Sequence, residues 1–335
     1  MAKIKVAVLL NRTSFATIFT DEDYEELRKL GDVVHLGDGD PKNLAHSREC
    51  LAGSAACITS WGSPRMTAEL LDVAPDLKLI VHAAGSIKPV VSDEVFRRGI
   101  TITSGAPVLG IGVAETALGL IIMSVKNVFE CAQSIRETGW NGDPGVRARV
   151  KDMYKAKIGV VSAGNAGRHL LRLLSNFSVE VLLYDPTLKE SDAKALGATL
   201  VDLDTLMREC DVISLHAPSL PETRHMINAY RLSLMKDNAV IINTARGAVI
   251  DEQALIKEAS SGRIRACIDV TDPEPPAADN PLCRLPNVIM TPHIAGAVSN
   301  GRWALGNYAL QEIRRFLEGK EAINPISEEQ LAKLA

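Results

Sequence analysis

Short apolar runs alternate with polar segments of helical spacing through the first hundred residues of the chain. Five runs have the length and composition of strands, and residues 21–30 have helical spacing, with Asp21 as the expected cap and Gly31 as the end. Alternation of this kind predicts a parallel sheet with helices on both faces. The strands are predicted at 6–10, 33–36, 56–59, 77–81 and 100–103, with a further helix at 66–73.

A second series of apolar runs begins near residue 157 and contains six predicted strands with helices between them. Six strands in this pattern fit a complete doubly wound dinucleotide-binding domain. The strands are predicted at 158–161, 181–184, 212–215, 240–242, 266–269 and 288–290, with a helix at 253–259.

The stretch between the two series carries Gly and Pro at 107–112, which predicts a connector and a domain boundary. A long, broadly apolar helix is expected at 113–128, and an irregular arm at 136–146. The last amphipathic helix, residues 300–317, follows the second series and needs a partner. We expect it to return to the first series, so that the chain crosses twice between the domains.

Composition places the chain among globular proteins, with 46% hydrophobic and 23% charged residues. The net charge of −4 and the lack of a basic run argue against nucleic-acid binding. The N-terminus enters a strand at once, which predicts no secretion signal, and the apolar helical segment around 118–125 is too short to span a bilayer. Six scattered cysteines without a C-x-x-C pair predict reduced thiols in a cytoplasmic protein and no metal site.

The turn after residue 161 is the first candidate for chemistry. A strand, a small-residue turn, a helix and a second strand that ends in Asp185 form a nucleotide-binding βαβ unit. Gly164 would let the backbone approach a pyrophosphate, and Gly167 would let the helix and strand pack closely. Asn165 and Ala166 lie at the helix N-terminus, whose N–H groups suit anionic oxygens. Because a carboxylate would repel a 2′-phosphate, Asp185 favours NAD over NADP.

The first glycine of this fingerprint is replaced by Ser162. The turn must therefore be made by a residue with a Cβ atom, or by altered dihedral angles. A Gly-rich turn alone also serves other nucleotides or only tight packing, and the spacing of 21 residues from Gly164 to Asp185 strengthens the dinucleotide interpretation.

Polar clusters follow three later strands, where the carboxyl ends of a parallel sheet form a binding edge. Arg246 could clamp a carboxylate through its planar fork, beside Gly247, which would admit a substrate, or it could be a surface residue paired with Asp251. Glu274 lies on a proline-rich loop, and His293 comes directly after the last strand. A carboxylate that orients an imidazole and stabilises its protonated form makes a proton-transfer pair suited to hydride chemistry at a carbonyl.

A smaller turn, Gly85-Ser86, follows the fourth strand of the first series. It is either a substrate contact at the carboxyl end of the sheet or an ordinary turn between a strand and a helix.

These clusters carry a family resemblance that extends over nearly the whole chain. The chain resembles the D-isomer-specific 2-hydroxyacid dehydrogenases through N-T-A-R-G at 243–247, D-V-T-D-P-E-P at 269–275, T-P-H-I-A-G at 291–296 and L-H-A-P at 215–218. The resemblance implies an α/β fold of two doubly wound parallel-sheet domains. A Rossmann coenzyme domain would span 105–296, and a discontinuous, flavodoxin-like substrate domain would span 1–104 and 297–335.

The resemblance also implies roles for individual residues. Arg246 would bind the substrate carboxylate and polarise the 2-oxo group, His293 would be the general acid/base, and Glu274 would be its partner. The backbone around Ala84, Gly85 and Ser86 would hold the substrate, although Ile87 stands where the family usually has an acid. The remaining cofactor contacts would be His216, Ala217, Pro218, Thr223, Thr244, Ala245, Asp269 and Gly296.

The expected function is therefore an NAD-dependent oxidoreductase that interconverts a 2-oxo acid and a D-2-hydroxy acid, as a homodimer formed with the help of the long helix. One alternative is a catalytically weak, corepressor-like protein that senses NAD(H) on the same fold, and a methyltransferase is a third. The substrate is left open. Lys88 and Arg65 would suit a phosphorylated acid, whereas Trp61, Ile87 and Leu109 would suit an apolar one.

Overall fold

The computed structural model describes residues 3–334, which form two compact units. Unit 1 combines residues 1–109 with 297–335, and unit 2 contains residues 110–296. Each unit is an α/β structure built on one wholly parallel sheet, as the alternating pattern predicted.

The first part of the chain forms the five strands of unit 1 and the helices between them. They are β1 Lys5–Val8, α1 Arg12–Ile18, α2 Asp21–Leu30, β2 Asp32–His35, α3 Leu44–Leu51, β3 Ala56–Thr59, α4 Ala68–Leu71, β4 Leu79–His82, α5 Asp93–Arg97 and β5 Thr101–Ser104.

The second part begins with α6 and ends with two further helices. The elements are α6 Ala106–Val125, α7 Val128–Thr138, α8 Pro144–Ala148, β6 Lys157–Val161, α9 Asn165–Leu174, β7 Glu180–Tyr184, α10 Glu190–Ala195, β8 Thr199–Leu200, α11 Leu203–Glu209, β9 Val212–Leu215, α12 Ala229–Leu234, β10 Val240–Asn243, α13 Glu252–Ser260, β11 Arg265–Ile268, β12 Val288–Met290, α14 Gly301–Leu317 and α15 Glu328–Lys333.

The sheet of unit 1 has the strand order β2-β1-β3-β4-β5, which is the flavodoxin-like order. Helix α14 packs against this sheet and against α1, where Leu305, Ala309 and Ile313 are buried. A Cβ atom at Gly306 would lie 2.2 Å from the carbonyl oxygen of Ile18, so only glycine permits this close approach.

The sheet of unit 2 has the order β12-β11-β10-β9-β6-β7-β8. This is the Rossmann order with one strand added, and the direction of strand progression reverses between β6 and β9. All its strands are parallel, so the loops after β6, β9, β10, β11 and β12 emerge at one edge of the sheet. Ligands of open α/β sheets bind at this edge, beside the point of reversal.

Helix α2 matches its predicted limits, but its cap is Thr20 instead of Asp21. The Thr20 hydroxyl accepts the Asp23 N–H at 3.1 Å, and the Asp23 carboxylate accepts the Thr20 N–H at 3.2 Å. This reciprocal capping box satisfies two amide groups that the helix itself leaves unpaired.

The predicted connector at 107–112 is wrong, because these residues form the first turns of α6. Proline lacks only a donor that a first helical turn leaves unpaired, so Pro107 is tolerated there. The helix has 20 residues and is long and apolar enough to span a membrane, so the argument from its length was also wrong. Its buried residues Ala114, Ala117 and Ile121 nevertheless belong to the hydrophobic core of unit 2.

Two smaller expectations also differ from the structure. The long helix ends before Asn127, which has the left-handed φ of 51° and separates α6 from α7. The arm expected to be irregular at 136–146 contains the end of α7 and the start of α8. The two-residue strand β8 was missed because it is too short to show a periodicity.

Candidate active site and cofactor site

The loop after β12 brings His293 against Glu274, which lies on the loop after β11. The distance from His293 Nδ1 to Glu274 Oε1 is 2.5 Å, and each side chain is about half exposed, at 50% and 43%. Contact through Nδ1 leaves Nε2 as the ring nitrogen available to a ligand. The imidazole and the carboxylate therefore meet in the arrangement that a proton-transfer pair requires.

The backbone of His293 is held in a strained conformation by Asp269. His293 has a φ of 53°, in the left-handed region that non-glycine residues rarely adopt. The Asp269 carboxylate is buried and accepts bonds from the N–H groups of Ile294 at 2.8 Å and Ala295 at 2.9 Å and from the Thr291 hydroxyl at 2.6 Å. Hydrogen bonds to a charged group contribute roughly 1.5–3 kcal/mol each, which exceeds the ~1–2 kcal/mol of left-handed strain.

Arg246 lies on a tight turn after β10 that the Asn243 side chain organises. The Asn243 amide donates to the carbonyl of Arg246 at 3.0 Å and accepts the N–H of Ala245 at 3.0 Å. Burial lowers the pKa of Arg246, and the negative charge of Glu274 acts in the opposite direction. Within residues 3–334 the guanidinium donates to one acceptor, the Ala245 carbonyl at 2.7 Å, so most of its five donors remain available to a ligand.

Two neighbours of Arg246 bear on the two interpretations of this residue, as a substrate clamp or as a surface residue paired with Asp251. A Cβ atom at Gly247 would lie 2.0 Å from the carbonyl carbon of Thr271, so this glycine makes room for the loop that carries Glu274 and not for a substrate. Asp251 caps α13 by accepting the Ala254 N–H at 3.1 Å, and the structure gives it no ion pair with Arg246 among the described residues.

The nucleotide turn after β6 is made by Ser162 with a φ of 75°. A serine thus adopts the dihedral angle for which the usual glycine is suited. Two hydrogen bonds tie the turn to the end of β7. Asp185 accepts the Ala163 N–H at 2.8 Å, and the Ser162 N–H donates to the Tyr184 carbonyl at 2.7 Å. Burial alone would raise the pKa of Asp185, but hydrogen bonds from Thr187 and Ala163 lower it, so the carboxylate is ionised.

Both glycines of the turn have the geometry that a dinucleotide site requires. A Cβ atom at Gly167 would lie 2.1 Å from the carbonyl oxygen of Ser162, so α9 can approach β6 only with glycine there. A Cβ atom at Gly164 would enter open space. Gly164 is also the N-cap of α9, and no described side chain caps this helix. Its first N–H groups, at Asn165 and Ala166, are therefore oriented as in anion-binding helix termini.

Unpartnered polar atoms lie at the same edge of the sheet. Thr244 Oγ1 and His216 Nδ1 are buried and form no hydrogen bond within the described chain. Thr244 directly follows β10 and His216 directly follows β9. These strands are neighbours in the sheet, and their last residues, Asn243 and Leu215, lie opposite each other. Burial lowers the pKa of His216 to about 4, so its ring is neutral, and its Nε2 contacts Ser214 Oγ at 2.9 Å. Buried polar atoms without partners are costly, so a polar ligand such as NAD fits this edge.

The other predicted cofactor residues lie on the loops that follow β9, β10 and β12. Thr223 donates to the Pro218 carbonyl at 2.5 Å and accepts the Leu220 N–H at 2.9 Å, so it holds its own loop together. Ala217 and Ala245 are buried, and a Cβ atom at Gly110 of α6 would lie 3.1 Å from the Ala166 nitrogen. Gly296 ends unit 2, and its carbonyl lies 3.4 Å from the Cβ position of Gly112.

The predicted substrate loop lies in unit 1, directly after β4. Ala84 is fully buried, and a Cβ atom at Gly85 would lie 2.8 Å from the Leu109 side chain. The Ser86 carbonyl oxygen lies 3.0 Å from Nε2 of His82, the last residue of β4. Ile87 is fully buried in the core of unit 1, so the expectation that its side chain suits an apolar substrate is wrong.

The sequence did not reveal the roles of the residues that hold the His293 loop, the Arg246 turn and the predicted substrate loop in place. Asp269 was predicted only as a cofactor contact, and its hydrogen bonds to the His293 loop were not anticipated. Asn243 and His82 were not singled out, although each is a polar residue at the end of an apolar strand. Within the described residues there is no cluster of three or more His, Cys, Asp or Glu side chains that could hold a metal ion.

Comparison with known proteins gives a consistent result. Residues 118–295 match the model of the family described as D-isomer specific 2-hydroxyacid dehydrogenase, NAD binding domain. The chain is 33% identical over 279 residues to a D-3-phosphoglycerate dehydrogenase of Methanocaldococcus jannaschii, which covers 81% of this chain and 52% of that protein. It is 34% identical over 268 residues to a glyoxylate reductase of Thermococcus litoralis, covering 78% of this chain and 81% of that one.

Solved structures show the same similarity along the chain. A crystal structure of a phosphoglycerate oxidoreductase from Rhizobium etli has a TM-score of 0.83 and 25% identity, and the match covers 97% of this chain and 99% of that one. The chain spans about half the length of the phosphoglycerate dehydrogenases that it matches.

Proposed function

Because the chain belongs to the D-isomer-specific 2-hydroxyacid dehydrogenase family, we propose that it interconverts a 2-oxo acid and a D-2-hydroxy acid with NAD(H). The predicted family and the predicted NAD-binding Rossmann fold are confirmed. One observation carries the proposed activity. The His293 ring meets the Glu274 carboxylate at 2.5 Å, at the sheet edge that also bears Arg246.

The proposed reaction assigns a separate task to each side chain. Bound NADH supplies the hydride for carbon 2 of the 2-oxo acid. Protonated His293 donates a proton from Nε2 to the carbonyl oxygen, because its Nδ1 is engaged by Glu274. Glu274 stabilises the imidazolium and fixes its orientation. Arg246 binds the substrate carboxylate and draws electron density from the adjacent carbonyl.

We assign the cofactor to the edge of unit 2 at the point where the strand progression reverses. The N–H groups of Gly164, Asn165 and Ala166 would hold the pyrophosphate, since no described side chain caps α9. Asp185 would accept hydrogen bonds from the adenosine ribose and repel a 2′-phosphate. Gly167 contributes by letting α9 approach this edge. The nicotinamide end would face the other predicted contacts, which are His216, Ala217, Pro218, Thr223, Thr244, Ala245, Asp269 and Gly296.

The proposed domain roles follow from the two sheets. Unit 2 would be the coenzyme domain, since the matched NAD-binding segment, 118–295, lies within it. Unit 1 would be the substrate domain, in which the backbone at Ala84, Gly85 and Ser86 holds the carboxylate of the 2-oxo acid. The predicted limit at residue 105 precedes α6, whereas the compact units divide at residue 109, inside this helix.

Steady-state NADH oxidation with a panel of 2-oxo acids tests the activity. Glyoxylate, pyruvate, hydroxypyruvate and 3-phosphohydroxypyruvate differ only in the group attached to the oxo carbon. We expect turnover with at least one of them, and a lower kcat/KM with NADPH because of Asp185. Binding of NADH without turnover of any panel member would contradict the proposal and favour an NAD(H)-sensing interaction protein.

We also propose that the protein is a homodimer that pairs through the face of α6 and the arm after it. Ile111 on α6 is 42% exposed, and Trp140 after α7 is 87% exposed. A second copy would cover these exposed apolar side chains. Sedimentation equilibrium at micromolar concentration should give twice the mass of one chain, and the mass of a single chain would contradict this proposal.

A cytoplasmic location is proposed from the cysteines. All six are free, and burial raises the pKa of Cys210 to about 12 and that of Cys267 to about 11. Thiols of this kind are inert core residues of reducing compartments.

A further inference from the structure

A buried histidine lies behind the predicted substrate loop. His82 is the last residue of β4 and is 1% exposed. Its two ring nitrogens have different partners, because Nδ1 lies 3.0 Å from the Thr59 hydroxyl and Nε2 lies 3.0 Å from the Ser86 carbonyl oxygen. A carbonyl only accepts hydrogen bonds, so Nε2 carries the proton and Nδ1 accepts from Thr59.

The neutral ring is the stable form at this position. Burial lowers the pKa of His82 to about 4, so the imidazole is uncharged near neutral pH. The Thr59 hydroxyl favours one tautomer by donating to Nδ1, and this tautomer presents a donor to the loop. Thr59 is itself fully buried at the end of β3, next to β4.

A second side chain holds the preceding carbonyl of the same loop. Ser104, at the end of β5, donates to the Gly85 carbonyl at 3.1 Å and accepts the Ala106 N–H at 3.1 Å. The carbonyls of Gly85 and Ser86 are therefore each bound by a buried side chain, Ser104 from the neighbouring strand β5 and His82 from the end of β4 itself. Two successive peptide planes of an otherwise irregular turn are fixed in this way.

The orientation of the second peptide has a direct consequence. In a trans peptide the C=O and N–H groups point in opposite directions. Because the Ser86 carbonyl faces the buried His82 ring, the Ile87 N–H faces away from it. Within residues 3–334 the Ile87 N–H has no hydrogen-bond acceptor, and the residue as a whole, backbone included, is 0% exposed. An unpaired backbone donor beside a buried side chain needs a partner.

We propose that His82 is a positioning residue for the 2-oxo acid, acting through the Ser86 carbonyl to direct the Ile87 N–H at the substrate carboxylate. This inference rests on the proposed function, which places the carboxylate at this loop. It adds a backbone donor at Ile87 to the contacts at Ala84, Gly85 and Ser86. In this proposal His82, Thr59 and Ser104 act together to fix the peptide groups of the substrate loop.

Two substitutions of His82 test the hydrogen bond to the Ser86 carbonyl separately from the effect of placing a different side chain at this buried position. In His82→Gln the amide nitrogen reaches the place of Nε2 and can still donate to Ser86, whereas in His82→Asn the amide reaches only the place of Nδ1. We expect the KM of the best 2-oxo acid to rise about tenfold in His82→Asn, which corresponds to ~1.4 kcal/mol, and less than about twofold in His82→Gln. The KM for NADH should stay within about twofold of the wild-type value in both, because the cofactor residues lie in unit 2.

The comparison between the variants decides the inference. Equal KM values for the 2-oxo acid in His82→Gln and His82→Asn would overturn it, as would an equal rise of the KM for NADH. If His82→Asn does not fold, Thr59→Val serves instead. It removes the hydroxyl that selects the tautomer and should raise the KM of the 2-oxo acid about threefold, and an unchanged KM would overturn the inference. A wild-type protein without activity on any 2-oxo acid would overturn the proposed function, and this inference with it.

Discussion

Replacing His293 with alanine is expected to lower kcat for 2-oxo acid reduction about 10³-fold. A general acid that donates a proton in the transition state typically contributes 10²–10⁴-fold. The structure leaves Nε2 of His293 available for this donation, because Glu274 occupies Nδ1 at 2.5 Å. The affinity for NADH, measured by fluorescence titration, should change less than about twofold, since the ring is expected to meet the substrate and not to hold the cofactor.

Two control variants make this result interpretable. His293→Asn preserves the left-handed backbone better than alanine, because asparagine is enriched at positive φ, and it should be equally inactive. Glu274→Gln keeps an acceptor for the imidazole but removes the charge, so a smaller loss of about tenfold to a hundredfold is expected. Wild-type kcat in both His293 variants would exclude this residue as the acid.

Replacing Arg246 with lysine is expected to lower kcat/KM about 10²- to 10³-fold, even though the positive charge is retained. Lysine is a point charge without the planar fork that binds a carboxylate through two parallel hydrogen bonds. The shorter reach matters as well, because the guanidinium is anchored on the Ala245 carbonyl at 2.7 Å. The loss should appear in the kinetics of the 2-oxo acid, while the affinity for NADH remains near the wild-type value.

Arg224 provides the matched control for this substitution. It lies on the loop after β9 and pairs with Asp272 at 3.1 Å, with 58% of its side chain exposed. Exposed ion pairs contribute little, so Arg224→Lys should change kcat/KM less than about threefold. If Arg246→Lys were as active as Arg224→Lys, the assignment of the substrate carboxylate to Arg246 would be wrong.

Most elements of the fold could be predicted from the sequence because each is encoded locally. The buried strands of both sheets are short apolar runs, and α2 and α14 have amphipathic spacing between recognisable ends. The errors arose where one local sequence feature is compatible with two different structures. Pro107 was interpreted as a break, but proline also suits the first turn of a helix, where its missing N–H costs nothing.

The sequence predicted which residues form the candidate site, but not which residues hold them in place. Arg246, Glu274 and His293 follow strand ends, where function concentrates in α/β sheets, so position in the sequence was informative. Asp269 and His82 act through hydrogen bonds to segments that the strand pattern cannot align. Several of their partners are backbone groups, which any residue type can supply and which a sequence pattern therefore does not reveal.

Residue order was enough to predict the two parallel sheets, the succession of their elements along the chain and the polar residues at their carboxyl edges. Apolar periodicity and strand-end chemistry are local properties, so they can be identified without a structure. Three features became visible only in the folded chain: Ser162 adopts a positive φ, Gly247 makes room for the loop of Glu274, and Asp269 holds the His293 backbone. Each of these depends on the close approach of segments distant in sequence, where backbone geometry and hydrogen bonding outweigh local preference.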